Sequence, residues 1–281
     1  MATLNTISSV PVIVKWAGGK RQLLPRLLAS QPSSWNRYLE PFAGGAALFF
    51  ALGRSGSYLS DTNAELINMY QVVRDDVETL IEHLRRHRNE AEYYYAVRAQ
   101  DPVALSALER ASRFLYMLRV AFNGLWRENA AGRMNTPFGR YKNPDIVRAD
   151  TLRAAHAVLQ SATIVQADYA AAMEVAQASD LVYLDPPYAP SSKTANFTSY
   201  TAGGFSWADQ EALAEQVRAL GDRGVYVMAS NADVPEIHDL YRGHWIQVVP
   251  VRRAINSDAT KRTGASEVII TTYPVEGAIR G

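Results

Sequence analysis

Leu181-Val182-Tyr183-Leu184-Asp185-Pro186-Pro187-Tyr188 is an apolar, β-rich run that stops at a carboxylate, two prolines and a tyrosine. Its first half reads as a buried strand of an α/β sheet. The second half does not extend that strand, because neither proline has an N–H to donate and each fixes its own φ. The backbone after Asp185 is therefore a rigid corner. It offers the Asp185 carboxylate as an acceptor, a Pro186 carbonyl with no competing local N–H because Pro187 follows, and the flat face of Tyr188. Those groups suit an exocyclic amine on a planar aromatic base. An isolated Asp-Pro would be read only as a turn ending a strand.

Upstream, Val12-Ile13-Val14-Lys15-Trp16-Ala17-Gly18-Gly19-Lys20 is a short apolar entry and a glycine turn, followed by a helix patterned by Leu23, Leu24, Leu27 and Leu28. The spacing is not that of a phosphate loop, since Arg21 stands where a hydroxyl is needed. Close approach of backbone to a ligand explains the glycines better. Tyr38 to Ala46 reads as strand, glycine turn and helix start, the first turn of a nucleotide-binding α/β unit. Tyr58-Leu59-Ser60-Asp61 is a second strand ending in an acid, a position from which a carboxylate accepts hydrogen bonds from ribose hydroxyls. Residues 63–148 look mainly helical, with a break at Asn123-Gly124 and a loop from Ala131 to Pro144. Strands resume at Thr163 to Gln166, ahead of Asp168, then at Leu181 to Leu184, Val225 to Ala229, Ile246 to Val251 and Val268 to Tyr273. A helix from Trp207 to Leu220 serves as a parallel crossover, whereas the last two strands should pair antiparallel around a tip carrying Arg252, Arg253, Lys261 and Arg262. The expected fold is α/β: a Rossmann-like, mostly parallel sheet with a C-terminal antiparallel hairpin and an inserted helical segment.

The chain has 281 residues, 48% hydrophobic and 20% charged, and no cysteine. That composition fits a globular protein and excludes disulfides, Cys-ligated zinc and thiolate catalysis. No stretch reads as a signal peptide or a membrane span, so a cytoplasmic location is expected. His83 and His87 have i, i+4 spacing but sit in a charged segment with no third ligand, which reads as solvated surface, and no metal is expected. The net charge is only +1, yet Arg110 to Arg153 holds nine basic residues against three acidic, next to an acidic stretch from Gln71 to Glu109. A basic face beside an acidic one suits a polyanion groove, and equally a solvated helical face.

Taken together, Lys15 to Lys20, Pro41 to Gly45, Asp61, Phe114 to Tyr141, Asp168 and Asp185 to Phe197 resemble, in order, the Dam family of DNA adenine-N6 methyltransferases (D12 class). The most specific stretches are Asp185 to Pro190 with Thr194-Ala195-Asn196-Phe197, and Asn135 to Tyr141. The resemblance implies a catalytic S-adenosylmethionine domain, residues 1–62 and 149–281, interrupted by a target-recognition domain, residues 63–148. It assigns catalysis to Asp185, Pro186, Pro187 and Tyr188. To the cofactor it assigns Trp16, Ala17, Lys20, Phe42, Gly44, Asp61, Thr62, Asp168, Tyr169 and Asp185, with Asp61 on the ribose, Asp168 on the adenine amine, and Lys20 and Gly44 near the amino-acid end. Double-stranded DNA would meet Lys15, Asn123, Leu125, Arg127, Asn135, Pro137, Arg140 and Tyr141, reading a short palindrome with GATC as first candidate and an altered A/T-containing site as second. A palindrome also admits a homodimer.

Some positions depart from the family pattern. The glycine turn ends in Ala46 where the family has glycine; Leu118, Val120 and Ala121 lack the usual polar and aromatic character; Trp126 is bulky; and Arg133 replaces an acid. Cytosine-N4 methylation, methylation of RNA or a protein amide, and a DNA-binding regulator without catalysis stay open as alternatives.

Overall fold

The computed structural model describes residues 12–129, 132–189, 205–251 and 265–281. Pro190, Thr194 to Phe197, Ala131 and the basic tip with Arg252, Arg253, Lys261 and Arg262 lie outside the described residues. In chain order the elements are α1 (Leu24–Ala29), β1 (Tyr38–Glu40), α2 (Ala47–Leu52), β2 (Tyr58–Asp61), α3 (Ala64–Asp75), α4 (Val77–Leu84), α5 (Ala91–Ala99), α6 (Ala107–Val120), α7 (Ala149–Leu159), β3 (Thr163–Gln166), α8 (Tyr169–Glu174), β4 (Leu181–Leu184), α9 (Trp207–Asp222), β5 (Tyr226–Ala232), α10 (Pro235–Leu240), β6 (Trp245–Val251), β7 (Ala265–Thr271) and β8 (Ile279–Arg280). No helix among the described residues is long and apolar enough to cross a membrane.

The chain divides into two compact units. One holds the stretch ending at Gly19, Gly44–Gly56 and Asp61–Gln166; the other holds Lys20–Ala43, Ser57–Ser60 and the chain from Ala167 onward. In the second unit seven strands run in the order β2-β1-β4-β5-β7-β6-β8. β2, β1, β4 and β5 pair in parallel, with Leu39 beside Tyr58, Tyr38 beside Leu181 and Leu181 beside Tyr226. β5 then pairs antiparallel with β7, and β7 with β6. The α/β class and the C-terminal antiparallel pair expected from the sequence are both present. Every residue of β4 is buried, as expected for a central parallel strand covered on both faces. α9 starts at a capping box between Ser206 and Asp209 and buries Leu213, Ala214, Val217 and Leu220, the spacing of one helical stripe.

The first unit is helical around α6, which a Ser106/Glu109 capping box starts and which buries every residue from Ala111 to Leu118. Burial on all sides makes it the unit's central helix. Arg113 is part of that core, donating to the carbonyls of Val97 and Arg98, and Arg119 likewise donates to the carbonyls of Ile13, Asp145 and Ile146. Arg110 pairs with Glu65, and Arg153 with Glu78. The basic excess from Arg110 to Arg153 is thus partly consumed inside the unit. Arg127, Arg133, Arg140 and Lys142 are exposed, as is Arg153 beside its Glu78 partner.

His83 and His87 correct the expectation of solvated surface. Their Nδ1 and Nε2 atoms lie 2.8 and 3.0 Å from the buried Ser112 hydroxyl, and His87 Nδ1 is 2.9 Å from the Tyr93 hydroxyl. The His87 ring also stacks on Tyr116 at 4.3 Å. Burial, and then the neighbouring His83, depress the His87 pKa to about 4. The folded state therefore favours neutral His87, so its contribution is complete above the unfolded value near 6.5 and is lost as pH falls toward 4. The unfolding free energy from urea titrations should decline across that window by on the order of 2 kcal/mol more in the native protein than in His87→Gln. Equal pH slopes for the two proteins would remove His87 from the account.

Candidate active site

The parallel strands of the second unit all end at one edge of the sheet, where crevices for ligands form in open α/β sheets. Asp185 follows β4 directly. Its Oδ1 accepts from Lys20 Nζ at 2.8 Å and from Ser230 Oγ at 2.9 Å, and Ser230 lies 3.0 Å from the Tyr183 hydroxyl. Oδ2 receives no donor from the described residues. Burial raises the Asp185 pKa, and the Lys20 ammonium and Ser230 oppose that rise. Lys20 is only 8% exposed and stands over the Tyr188 ring, 4.4 Å from its centroid. The family resemblance implies a place for Lys20 near a cofactor; the structure pairs it with the Asp185 carboxylate.

The two prolines behave as their chemistry requires. The Pro187 carbonyl is taken by Gln210 Nε2 at 2.8 Å, and Gln210 is itself held by Asn231. Asn231 Oδ1 accepts from the backbone N–H of Ala189 at 3.1 Å, which anchors the far side of the corner. The Pro186 carbonyl meets no donor among the described residues. One amine with two hydrogens would therefore find two free acceptors here, Asp185 Oδ2 and Pro186 O. In the same unit, Phe42 stacks on Tyr169 at 5.3 Å. Asp168 caps α8 by accepting from Ala171 N through Oδ1, which leaves Oδ2 for another donor.

In the first unit, Asp61 ends β2 and organises the glycine turn: Oδ2 accepts from Gly44 N at 3.0 Å and Oδ1 from Asn63 N at 2.9 Å. Burial raises its pKa against the pull of those backbone donors. Each oxygen keeps a lone pair for a further hydroxyl. Gly44 has φ +46°, and a Cβ there would come within 2.9 Å of Trp16 Cδ1, so glycine is required for this approach of backbone to indole. Ala46 takes φ 49° as well. The left-handed region costs alanine about 1–2 kcal/mol, and the buried methyl returns about 0.8 kcal/mol of packing, so alanine survives where the family has glycine. Ala17 is exposed in the preceding turn, and Thr62 is exposed with its carbonyl bonded to Gln166.

The same unit brings the DNA-reading candidates together. Lys15 Nζ donates to the Asn123 carbonyl at 2.8 Å, and the Gly124 φ of +63° lets that turn pass over Leu118 and Lys15. Isolated bridges Ala121 to Phe138 and Glu128 to Met134 hold the following loop. Arg127 Nε donates to Asn135 Oδ1 at 2.9 Å. The Pro137 carbonyl accepts from Phe122 N, and the Tyr141 carbonyl from Asn89. Leu125, Arg127, Pro137, Arg140 and Tyr141 are exposed. Trp126 turns inward, its ring 4.5 Å from Phe114, so its bulk is packed away. Sequence reading passed over Ser230, Glu267 and Phe122. The first two reach the corner only through strand pairing, and Phe122 stands out only by being 52% exposed beside Asn123.

Residues 16–255 match the family model of the D12 class N6 adenine-specific DNA methyltransferases. The chain is 42% identical over 277 residues to the type II methyltransferase M1.LlaDCHI of Lactococcus lactis subsp. cremoris, covering 96% of this chain and 97% of that one. It is 36% identical over 266 residues to a DNA adenine methylase of Vibrio cholerae, covering 93% and 95%. A DNA adenine methylase of Escherichia coli K12 is 36% identical over 265 residues, again covering 93% and 95%. The chain thus belongs to the D12 class of N6 adenine-specific DNA methyltransferases.

Proposed function

We propose that the chain methylates the N6 amine of an adenine flipped out of a short palindromic duplex, with GATC as the first candidate sequence and an altered A/T-containing site as the second. The observation that carries this reading is the pair of unclaimed acceptors at the corner, Asp185 Oδ2 and the Pro186 carbonyl. An adenine amine is a weak nucleophile because its lone pair is delocalised into the ring. Accepting its two hydrogens at Asp185 and Pro186 favours a pyramidal nitrogen and frees the lone pair. S-adenosylmethionine, the usual methyl donor of methyltransferases, supplies an electrophilic methyl on a sulfonium. Direct transfer would form the N6–methyl bond as the methyl–sulfur bond breaks, the neutral thioether leaving and the surplus N6 proton passing to solvent; it needs positioning and electrostatics, with no covalent enzyme intermediate.

The donor and acceptor groups of each unit fit such a cofactor: Asp61 for ribose hydroxyls, Asp168 Oδ2 for an exocyclic amine, Phe42 and Trp16 as aromatic surfaces. Flipping the target costs a few kcal/mol, and the face of Tyr188 away from Lys20 offers a stacking surface in return. Phe122 is suited to wedge against the bases left behind. We assign DNA reading to the segment from Asn123 to Tyr141, within the inserted domain of residues 63–148. Asn135 holds Arg127 by Nε, so the terminal guanidinium nitrogens stay available to grip guanine O6 and N7.

Mapping modified bases by sequencing, after incubation of mixed plasmid DNA with the protein and S-adenosylmethionine, tests the site. N6-methyladenine at one short palindrome is expected, and scattered or absent modification would refute the reading. For Arg127→Ala, discrimination at one guanine should relax by about 1–3 kcal/mol, whereas Arg140→Ala should weaken binding to all duplexes with a shallower salt slope. Uniform weakening in Arg127→Ala would demote it to a phosphate contact.

A further inference from the structure

We infer that Glu267 is a positioning residue for methyl transfer, fixing the Tyr188 ring by accepting its phenolic hydrogen. The inference rests on the stacking role proposed for Tyr188. Glu267 lies on β7, opposite Ala232 of β5 and Val249 of β6, and is 79 residues from Tyr188 in sequence. Side chains alternate along the strand: the Ser266 hydroxyl turns to Asp233, and Glu267 turns to the catalytic corner.

The two prolines make the backbone before Tyr188 rigid but leave its side-chain torsions free. Contacts on the ring face and at the hydroxyl fix them, and the Ser230 hydroxyl also reaches the phenol. The Lys20 ammonium covers one ring face at 4.4 Å, and Glu267 Oε2 takes the hydroxyl hydrogen at 2.9 Å, so the ring is held by a face and by its edge. Among the described residues no second aromatic ring contacts the remaining face. Burial raises the phenol pKa, so the hydroxyl stays a donor. A ring fixed in this way presents a preformed surface, and the base placed on it is oriented before the methyl moves. The antiparallel strand β7 thereby enters the catalytic machinery beside β5, whose Ser230 donates to Asp185.

The test compares Glu267→Ala, Glu267→Gln, Tyr188→Phe and the double variant Glu267→Ala/Tyr188→Phe on a methylatable duplex. Single-turnover rate constants are measured at saturating DNA and S-adenosylmethionine, alongside DNA affinity. Glu267→Ala and Tyr188→Phe should each slow the step about tenfold, the worth of one hydrogen bond to a charged acceptor, with the double variant no slower than either. Glu267→Gln keeps an acceptor oxygen and should stay within about threefold of the native rate. DNA affinity should not change. A native rate in Glu267→Ala, a native rate in Tyr188→Phe, or a double variant showing the product of the two losses would overturn the inference. Tyr188→Ala separates it from the reading beneath: a native rate there refutes stacking itself, while a severe loss beside a native Glu267→Ala refutes only the part given to Glu267.

Discussion

Replacing Asp185 by alanine should stop methyl transfer while leaving DNA affinity nearly unchanged. Losing a preorganised partner of developing charge costs on the order of a hundred- to a thousandfold in rate, and in the proposed chemistry the carboxylate is also one of the two acceptors that orient the amine. DNA affinity comes mostly from phosphate contacts, which Asp185 does not make. Asp185→Ala also removes the ion pair of the buried Lys20, and breaking a buried pair costs about 3–5 kcal/mol, so melting must be followed in parallel. Asp185→Asn avoids that problem by keeping the shape. Its amide oxygen satisfies Lys20 and Ser230, which points the NH2 group at the substrate amine and sets donor against donor. It should be severely impaired as well. Burial raises the Asp185 pKa, so the native single-turnover rate should fall on the acid side with an inflection above the ordinary carboxylate value. Near-normal single-turnover methylation by either variant would refute the assigned chemistry.

Asp61→Ala should weaken S-adenosylmethionine binding by about ten- to a hundredfold, equivalent to roughly 1.5–3 kcal/mol for hydrogen bonds lost from a carboxylate. The geometry places this estimate toward its upper end. Asp61 holds the N–H groups of Gly44 and Asn63, so its removal both deletes the proposed ribose acceptors and frees the glycine turn packed under Trp16. Asp61→Asn keeps one acceptor oxygen and should lose less. Calorimetry is the direct check: unaltered cofactor affinity in Asp61→Ala would move the ribose site elsewhere, and DNA binding without cofactor should not respond in either variant.

How much of this was legible depended on how local the cause was. β4 and β3 lie where the sequence put them, at Leu181–Leu184 and Thr163–Gln166, because a short apolar run ended by turn-forming or acidic residues is a local signal. The corner at Asp185 was legible for the same reason, since prolines act on their own backbone. Lys20, Ser230 and Glu267 were not, because only strand pairing and chain entry bring them to Asp185 and Tyr188. Charge counting cannot tell which basic residues face solvent: Arg113 and Arg119 bond to backbone carbonyls inside the unit. His83 and His87 failed likewise, as the sequence shows no sign that Ser112 is buried between them.

The central claim is that the Asp185 corner methylates adenine N6 in DNA. Its most direct test is nucleoside analysis of duplex DNA incubated with labelled S-adenosylmethionine and either the native protein or Asp185→Asn. The account predicts label in N6-methyladenine with the native protein and none with the variant. Label in N4-methylcytosine, or equal label from both proteins, would contradict it.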